Sequence, residues 1–260
     1  MEAIDTRHIA NRFTRALQSY DRHANAQHII CKELVSLLIR YAGTDYSRIL
    51  EIGCGTGGFT KQLKEQCHIN EWTINDLCED CKEIINRILQ EESYTFISGD
   101  AEQLLFPGKY DLIASASVFQ WMKHPEKFLH RLSGLLADKG ILLFSTFVPG
   151  NLYEIKELTG RGLNYPDVGQ LFQWLSSDFH VLHSEEEEIT LNFPTPMDVL
   201  RHLKATGVTA TGRGIWTRSM QEDFCIRYTR MFYTTDNQVK LTYRPLYILA
   251  VKKNNNPYER

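Results

Sequence analysis

Three glycines that alternate with other residues, Gly53, Gly55 and Gly57, are the feature of this chain most suggestive of chemistry. They follow a short apolar run and precede a helical pattern. Glycine is required where the backbone takes a positive φ or passes too close to a ligand for a Cβ atom. The first turn of the following helix offers unpaired N–H groups to an anionic group. This order of strand, glycines and helix predicts a loop that binds a nucleotide cofactor.

Two kinds of cofactor fit the spacing of these glycines. Gly53-x-Gly55-x-x-Gly58 matches the fingerprint of dinucleotide-binding proteins. Glu51-x-Gly53-x-Gly55-x-Gly57 matches the first motif of enzymes that use S-adenosylmethionine (SAM). The glycines alone therefore leave the cofactor open.

Acidic residues after the next two predicted strands bear on this choice. Asp76 closes the second strand, where a carboxylate can accept both ribose hydroxyls of an adenosine cofactor. Asp100 follows the third strand, where it can accept from the adenine amino group while neighbouring backbone reads the ring. No basic residue stands beside Asp76 to receive a 2′-phosphate. These residues favour SAM over NADP, and NAD remains possible.

The segment after the fourth predicted strand, residues 115–121, is rich in aromatic and polar side chains. In an open α/β sheet the ligand crevice lies beyond the carboxyl ends of the strands, near the point where the strand order reverses. Phe119 and Trp121 are therefore predicted to form a wall of the reaction chamber. Gln120 is expected to bind substrate or to fix that wall, and Ser115 is expected to lie at the cofactor.

Cysteine and histidine pairs do not predict a metal site. Cys78-Glu79-Asp80-Cys81 has no second pair at zinc spacing, and its two acids disfavour thiolates, so structural cysteines are expected. His180 and His183 fall in a strand pattern, where residues three apart point to opposite faces. We expect no metal in this protein.

Composition narrows the partners and the compartment. The 260 residues carry a net charge of −3, which gives no global basic field and disfavours nucleic acid as the main partner. The six cysteines lack the density of a disulfide scaffold, and the first residues lack the apolar region of a signal peptide. No apolar run is long enough to span a membrane. A cytoplasmic monomer is expected.

Apolar runs alternate with helical patterns from residue 48 to residue 147, which predicts an α/β fold with a doubly wound sheet. We expect a Rossmann-like, seven-stranded, mostly parallel sheet with an antiparallel edge strand. A long strand pattern over 179–193 and a final strand over 241–252 are predicted to form that edge. The chain is expected to be one domain, with an N-terminal helical lid (1–42), a cofactor-binding core (43–148) and cap helices with the sheet edge (149–260).

Glu51-Ile52-Gly53-Cys54-Gly55-Thr56-Gly57, Asp76 and Gly99-Asp100-Ala101-Glu102 resemble the motifs of class I SAM-dependent methyltransferases. Further motifs make nearly the whole chain similar to the malonyl-[acyl-carrier-protein] O-methyltransferase family of biotin synthesis. These motifs are Phe13-x-x-Ala16-x-x-x-Tyr20-Asp21-x-His23-Ala24-x-x-Gln27, Gln120-Trp121, residues 144–152, residues 203–208 and Leu241-Thr242-Tyr243. Cys78 departs from the serine that commonly caps the next helix in that family.

The resemblance implies that SAM methylates the free carboxyl of a malonyl thioester, on acyl-carrier protein or CoA, and leaves S-adenosylhomocysteine (SAH). The methyl ester then primes pimeloyl synthesis. The cofactor-binding residues it implies are Tyr20, Gln27, Glu51, Gly53, Cys54, Gly55, Gly57, Asp76, Leu77, Asp100, Ala101 and Ser115.

The sequence suggests few catalytic groups for such a reaction, because a carboxylate is already ionised at pH 7. Tyr20, Phe119 and Trp121 are expected to align the reactants and to exclude water. A cation must still select the substrate, and Arg201, Lys204 and Arg213 are candidates. The same residues, with Arg12, Arg15 and Arg22, are alternatively expected to meet an acidic carrier protein. A methyltransferase for another small carboxylic acid or metabolite is the alternative function, followed by a SAM- or NAD-binding protein outside this chemistry.

Overall fold

The computed structural model describes residues 6–207 and 217–254 of the chain. Its strands are β1 Asp45–Ile52, β2 His68–Asp76, β3 Tyr94–Ser98, β4 Tyr110–Ser115, β5 Leu136–Phe147, β6 Phe179–Glu186, β7 Ile189–Phe193, β8 Val239–Tyr243 and β9 Pro245–Lys252. Its helices are α1 Thr6–His23, α2 Asn25–Ala42, α3 Gly58–Gln66, α4 Cys81–Ile88, α5 Pro125–Leu135, α6 Tyr153–Thr159, α7 Val168–Leu175, α8 Pro196–Ala205 and α9 Arg218–Phe232, with a 3₁₀ turn at Phe119–Trp121.

Seven strands form the main sheet in the order β3-β2-β1-β4-β5-β9-β6. The pairs from β3 to β5 are parallel, and β9 is antiparallel to both β5 and the edge strand β6. The predicted Rossmann-like fold with an antiparallel edge is therefore confirmed. The strand order reverses between β1 and β4, which is where such a sheet leaves a crevice at the carboxyl ends of its strands.

Alternate residues of the central strands enter two different cores. In β1, Ile49 belongs to a core that also contains Leu34 and Leu38 of α2, whereas Leu50 packs on the other face with Leu132 of α5. This division follows from the pleat of a strand, which points successive side chains to opposite faces. Burial on both faces explains why the strand sequences are almost continuously apolar.

The N-terminal helices have different relations to the sheet. α2 is part of the core, because eight of its residues are buried, among them Ile30, Leu34 and Leu38. α1 is a separate helix that lies in front of the crevice, and Ala24 separates the two. Of the predicted lid, only α1 is thus placed to cover a site without supporting the sheet.

The long strand pattern over 179–193 is divided in the structure. Its first part, β6, joins the main sheet, while its second part, β7, pairs with β8 in a separate two-stranded sheet. The last strand pattern is divided in the same way at Arg244, before Pro245 begins β9. Proline has no N–H to donate, so it favours such a strand end. The small sheet, α6, α8 and α9 form the cap.

Within residues 6–207 and 217–254, no helix combines the length and the apolar character needed to cross a membrane.

Candidate active site

The glycine loop connects β1 to α3 at the crevice. Gly53, Gly55 and Gly57 all have positive φ angles, of 73°, 52° and 77°. A Cβ atom on Gly53 would lie 2.3 Å from Val118 Cγ2, and one on Gly57 would lie 2.3 Å from Ile88 Cδ1. A Cβ atom on Gly55 would meet no protein atom within 4 Å. The positive φ angles favour glycine at all three positions, and at Gly53 packing against Val118 adds to this requirement. Gly55 keeps open a space beside the loop.

Asp76 ties the end of β2 to this loop. Its Oδ2 accepts a hydrogen bond from Gly55 N, and its Oδ1 accepts one from Cys78 N, both at 2.8 Å. The neighbouring Asn75 carbonyl accepts from Gly53 N at 2.8 Å. Burial raises the pKa of Asp76, and the Cys78 and Gly55 N–H donors oppose that shift. Weaker contributions to this lowering of the pKa come from Cys81 and from the Leu77 backbone.

The loops after β1 to β4 surround a cavity of about 150 Å³, called here the glycine-loop cavity. Three of its lining residues are acidic, Asp76, Asp100 and Glu102, and none of the described lining residues is lysine or arginine. Its lining includes Phe13, Leu17, Tyr20, Gly53, Gly55, Asn75, Asp76, Leu77, Cys78, Cys81, Asp100, Ala101, Glu102, Ser117, Val118, Trp121 and Met122. The electrostatic character of this cavity suits a cationic ligand and disfavours a polyphosphate.

Glu51 adds a further acidic group behind the glycine loop. Its side chain is 1% exposed and lies beside Thr60. Burial raises the pKa of Glu51 to about 8, a hydrogen bond with Thr60 opposes this shift, and the nearby charge of Asp76 adds to it. The two neighbouring carboxyl groups disfavour an anionic ligand in the cavity.

α1 closes the front of the glycine-loop cavity through contacts with three different loops. Thr56 Oγ1 donates to Asp21 Oδ1 at 2.5 Å, and Thr14 Oγ1 lies 3.0 Å from Cys78 Sγ. The Phe13 and Trp121 rings meet edge to face with centroids 5.8 Å apart. Two side-chain hydrogen bonds and one ring contact therefore attach α1 to the cavity rim.

A second and larger cavity, called here the basic cleft, opens between α1, α6, α8 and α9, with a volume of about 1290 Å³. One acidic residue, Asp223, is among its described lining residues. The cations that line it are Arg12, Arg15, Lys156, Arg161, Arg201, Lys204 and Arg227. A chain with a net charge of −3 thus concentrates positive charge at this cleft, which suits an anionic ligand.

The two cavities share a wall made of Phe13, Tyr20, Ser117 and Trp121. Ser117 has a φ of 58°, which is uncommon for a residue other than glycine. Its Oγ is buried without a hydrogen-bond partner, while its N–H donates to Ser145 Oγ at 2.9 Å. Backbone strain of this kind clusters at ligand sites. Ligands in the two cavities would meet at this shared wall.

Polar side chains form the floor of the basic cleft. Gln27 Oε1 is buried and has no hydrogen-bond partner. Tyr243 Oη lies 2.8 Å from His202 Nε2, and Asn151 Nδ2 donates to Tyr165 Oη at 2.8 Å. Burial lowers the pKa of His202 to about 4, so this imidazole is neutral near pH 7. The floor therefore offers neutral hydrogen-bonding groups, and the charge comes from the cations around it.

Most of the residues expected at the site line one of the cavities. Those on the glycine-loop cavity are Tyr20, Gly53, Gly55, Asp76, Leu77, Asp100, Ala101 and Trp121. Those on the basic cleft are Tyr20, Gln27, Gln120, Trp121, Arg201 and Lys204. Glu51, Cys54 and Gly57 support the loop from behind. Arg213 lies outside the described residues.

Two further expected residues, Phe119 and Ser115, also line neither cavity. Phe119 is 3% exposed, and its ring stacks on Phe144 at a centroid distance of 4.3 Å, so it packs behind the wall. Ser115 is fully buried, and its Oγ donates to Ile52 O at 2.9 Å, so it joins β4 to β1. Short segments after a strand do not reveal which side chain turns inward.

Several lining residues are not part of any motif that predicts a site from the sequence. Lys156 and Arg161 are far from Arg227 in the chain, and only the packing of the cap brings them to one cleft. Cys78 and Cys81 were expected to be purely structural, yet both line the glycine-loop cavity. Asn75 could have been predicted as a structural residue of the site, because a polar side chain in a buried strand needs hydrogen-bond partners. Its Nδ2 donates to Ile97 O and Gly99 O.

Known proteins share both the motifs and the fold of this chain. Residues 50–144 match a family model described as a methyltransferase domain. A malonyl-[acyl-carrier protein] O-methyltransferase of Porphyromonas gingivalis is 45% identical over 252 residues, which cover 96% of this chain and 97% of that protein. A protein of the same name from Haemophilus influenzae is 39% identical over 251 residues and 96% of each chain. The chain belongs to the malonyl-[acyl-carrier protein] O-methyltransferase family.

A putative methyltransferase from Bacillus halodurans has the same fold, with a TM-score of 0.63 at 15% identity over 85% of this chain and 99% of that one. The present chain, as a member of its family, is an O-methyltransferase that depends on SAM. SAM carries a positively charged sulfonium and no phosphate, which fits an acid-lined cavity. The space beside Gly55 fits a ligand that a Cβ atom would obstruct.

Replacing Asp76 with alanine is expected to weaken SAH binding by about 2–3 kcal/mol, because hydrogen bonds to a charged acceptor are lost. Isothermal titration calorimetry measures this change. Asp236→Ala, which removes an exposed carboxylate far from both cavities, is the matched control. Unchanged SAH affinity in Asp76→Ala would remove Asp76 from the cofactor site.

The ligand-free protein is expected to lose stability as the pH rises from 5 to 8. Folded Glu51 stays protonated up to a pKa of about 8, whereas its ordinary value is 4.5. Between these values the folded state binds the extra proton, so the free energy of unfolding falls with pH, by about 1 kcal/mol per pH unit. Glu51→Gln should remove this slope in urea denaturation, and Glu65→Gln, an exposed control on α3, should keep it. Parallel pH profiles for wild type and Glu51→Gln would contradict the assignment.

Proposed function

We propose that this enzyme transfers the methyl group of SAM to the free carboxylate of a malonyl thioester on acyl-carrier protein. The product is a malonyl methyl ester, which then primes pimeloyl synthesis for biotin. One observation carries the proposal: an acid-lined cavity and a basic cleft share the wall formed by Phe13, Tyr20, Ser117 and Trp121. The glycine-loop cavity thus suits a cationic methyl donor, and the basic cleft on the other side of the wall suits an anionic acceptor.

On the cofactor side, the loops after β1, β2 and β3 each have a proposed part. Asp76 accepts from the ribose hydroxyls with the lone pairs that its backbone donors leave. Leu77 and Ala101 pack on the adenine ring, and Asp100 accepts from its amino group. Tyr20 covers the cofactor from α1. Burial raises the pKa of Tyr20, so its hydroxyl stays protonated and is able to donate.

The reaction depends on aligning the two reactants and excluding water from the site more than on acid–base catalysis. A carboxylate is ionised at pH 7 and needs no general base. SAM, when bound, supplies an electrophilic methyl group on a positively charged sulfur. Because the opposite charges of donor and acceptor disappear in the reaction, a site without bulk water avoids the solvent reorganisation that such a change requires. Phe13, Tyr20 and Trp121 provide apolar and aromatic surface for that purpose at the shared wall.

We propose Arg12 as the cation that selects the substrate carboxylate. It is partly buried and lines the basic cleft beside Phe13 of the shared wall. Burial and the charge of Arg15 both lower the pKa of Arg12, which means that a bound anion would be favourable there. Arg201 and Lys204 line the same cleft but are exposed. Their position suits the docking of a carrier protein.

The exposed cations of the basic cleft are the proposed contact for acyl-carrier protein. Arg15, Lys156, Arg161, Arg201 and Lys204 are exposed at this cleft. An acidic partner approaching such a surface gains long-range attraction that weakens as salt is added. Contact with the carrier protein therefore depends on the exposed cations, whereas selection of the carboxylate depends on the partly buried Arg12.

The two roles predict different kinetics with two substrates, malonyl-carrier protein and malonyl-CoA. Arg12→Gln should raise KM for both by about 10–100-fold, because it removes a charged hydrogen bond to the shared carboxylate. Lys156→Gln and Arg161→Gln should raise KM for malonyl-carrier protein only, and this effect should shrink at high salt. The assay follows the labelled methyl group from SAM.

Arg22→Gln is the control on the same helix, because Arg22 is exposed and lines neither cavity. Equal activity on butyryl-carrier protein, which has no free carboxylate, would contradict the proposed reaction. Wild-type KM for both malonyl thioesters in Arg12→Gln would move the carboxylate contact to another group, and activity confined to small free acids would favour the alternative substrate class.

We propose that α1 is a lid over the shared wall. It contributes Phe13 and Tyr20 to that wall, contacts the rim through Asp21 and Thr14, and packs against α8 of the cap. Deleting residues 1–23 should leave the core folded, because α2 remains buried in it. Turnover should fall on the order of tenfold or more, because water enters the site. Circular dichroism checks the fold, and unchanged kcat in the truncated chain would show that α1 is packing only.

A further inference from the structure

Two cysteines and an aspartate meet at the inner wall of the glycine-loop cavity. Cys54 lies in the glycine loop, Asp76 ends β2, and Cys81 begins α4. One ligand atom of each, the two Sγ atoms and a carboxylate oxygen, lie within 4.8 Å of one another. Cys78-x-x-Cys81, the pair that sequence spacing suggests, is therefore not the pair that the fold places together with Asp76.

We propose that Cys54, Cys81 and Asp76 bind a thiophilic divalent cation such as Zn²⁺ at the inner wall of the glycine-loop cavity, with Cys54 behind that wall. Tetrahedral zinc with Zn–S bonds of about 2.3 Å places two sulfurs about 3.8 Å apart, so small side-chain movements suffice. Asp76 and Cys81 line the cavity, from which water can supply the fourth ligand. Both cysteines are free thiols.

The surroundings of the three ligands favour a cation. Glu51 lies near Cys54 and Asp76 and adds a further carboxyl group to their surroundings. Asp100 and Glu102 line the same cavity, and no lysine or arginine is among its described lining residues. Cys78 is the neighbouring thiol, and its Sγ contacts Thr14 Oγ1 at 3.0 Å, so it belongs to the attachment of α1. The charge around the site is thus negative.

Binding is a simple exchange of protons for metal. The aquated M²⁺ ion and the thiols of Cys54 and Cys81 give a complex with two thiolates and the Asp76 carboxylate, and two protons pass to solvent. Metal affinity should therefore rise with pH. No oxidation or reduction occurs in this step.

Metal and cofactor are expected to exclude each other. The metal uses a carboxylate oxygen of Asp76, whose proposed role is to accept from the cofactor ribose, and this consequence rests on the proposed function. A soft metal ion at low concentration would then inhibit the enzyme in competition with SAM. The metal site itself depends only on the three side chains.

Cobalt spectroscopy of the untagged, reduced protein tests the site. Co²⁺ should bind with one equivalent, give a thiolate-to-cobalt charge-transfer band, and be displaced by Zn²⁺. Cys54→Ser and Cys81→Ser, which preserve side-chain size, should each weaken Co²⁺ binding at least tenfold and reduce the band. Cys225→Ser, on α9 of the cap, is the control and should bind as wild type. A wild-type spectrum in Cys54→Ser or Cys81→Ser, or no charge-transfer band in the wild type, would overturn the proposal.

A titration of the cobalt-loaded protein with SAH separates the two proposals. Loss of the charge-transfer band as SAH is added supports competition at Asp76. A band that persists while calorimetry shows SAH bound keeps the metal site and contradicts the proposed ribose contact of Asp76. Failure of SAH to bind even to the metal-free protein would instead contradict the cofactor assignment.

Discussion

Everything proposed for this enzyme depends on one constraint, that the first four strands of the sheet run parallel and end at the same edge. The loops that leave this edge must meet, and they meet where the order reverses between β1 and β4. Asp76 then ties two of these loops together by accepting from Gly55 and Cys78. The glycine-loop cavity is therefore a product of the topology, and its side chains supply the chemistry.

The two cavities differ in the charge of the side chains around them. Acidic groups surround the glycine-loop cavity, whereas the cap and α1 bring cations to the basic cleft. In the proposed reaction, the acidic cavity holds the cationic donor and the basic cleft holds the anionic acceptor until the two react. The proposed role of the aromatic residues in the shared wall is to exclude water from the place where the reactants meet. This arrangement needs no acid or base in direct contact with the reacting atoms, which agrees with the chemistry of an ionised carboxylate.

The sequence predicts the central sheet and its cofactor loop well, because both follow from local patterns. Strand-glycine-helix order and the acids after β2 and β3 are short-range signals, and Asp76 and Asp100 do line the cavity. The sequence does not show that Phe119 and Ser115 lie behind the cavity walls, since only three-dimensional packing decides which side chains of a loop turn inward. The basic cleft was the hardest part to predict, because Lys156, Arg161 and Arg227 come from different cap elements. The strand pattern over 179–193 was divided by pairing with β8, a partner distant in sequence.

A crystal structure of the enzyme with SAH and a stable malonyl thioester analogue is the most direct test of this account. The account predicts SAH in the glycine-loop cavity and the malonyl chain in the basic cleft. One carboxylate oxygen should face the SAH sulfur at the shared wall of Phe13, Tyr20, Ser117 and Trp121. A carboxylate bound away from that wall, or SAH seated in the basic cleft, would contradict it.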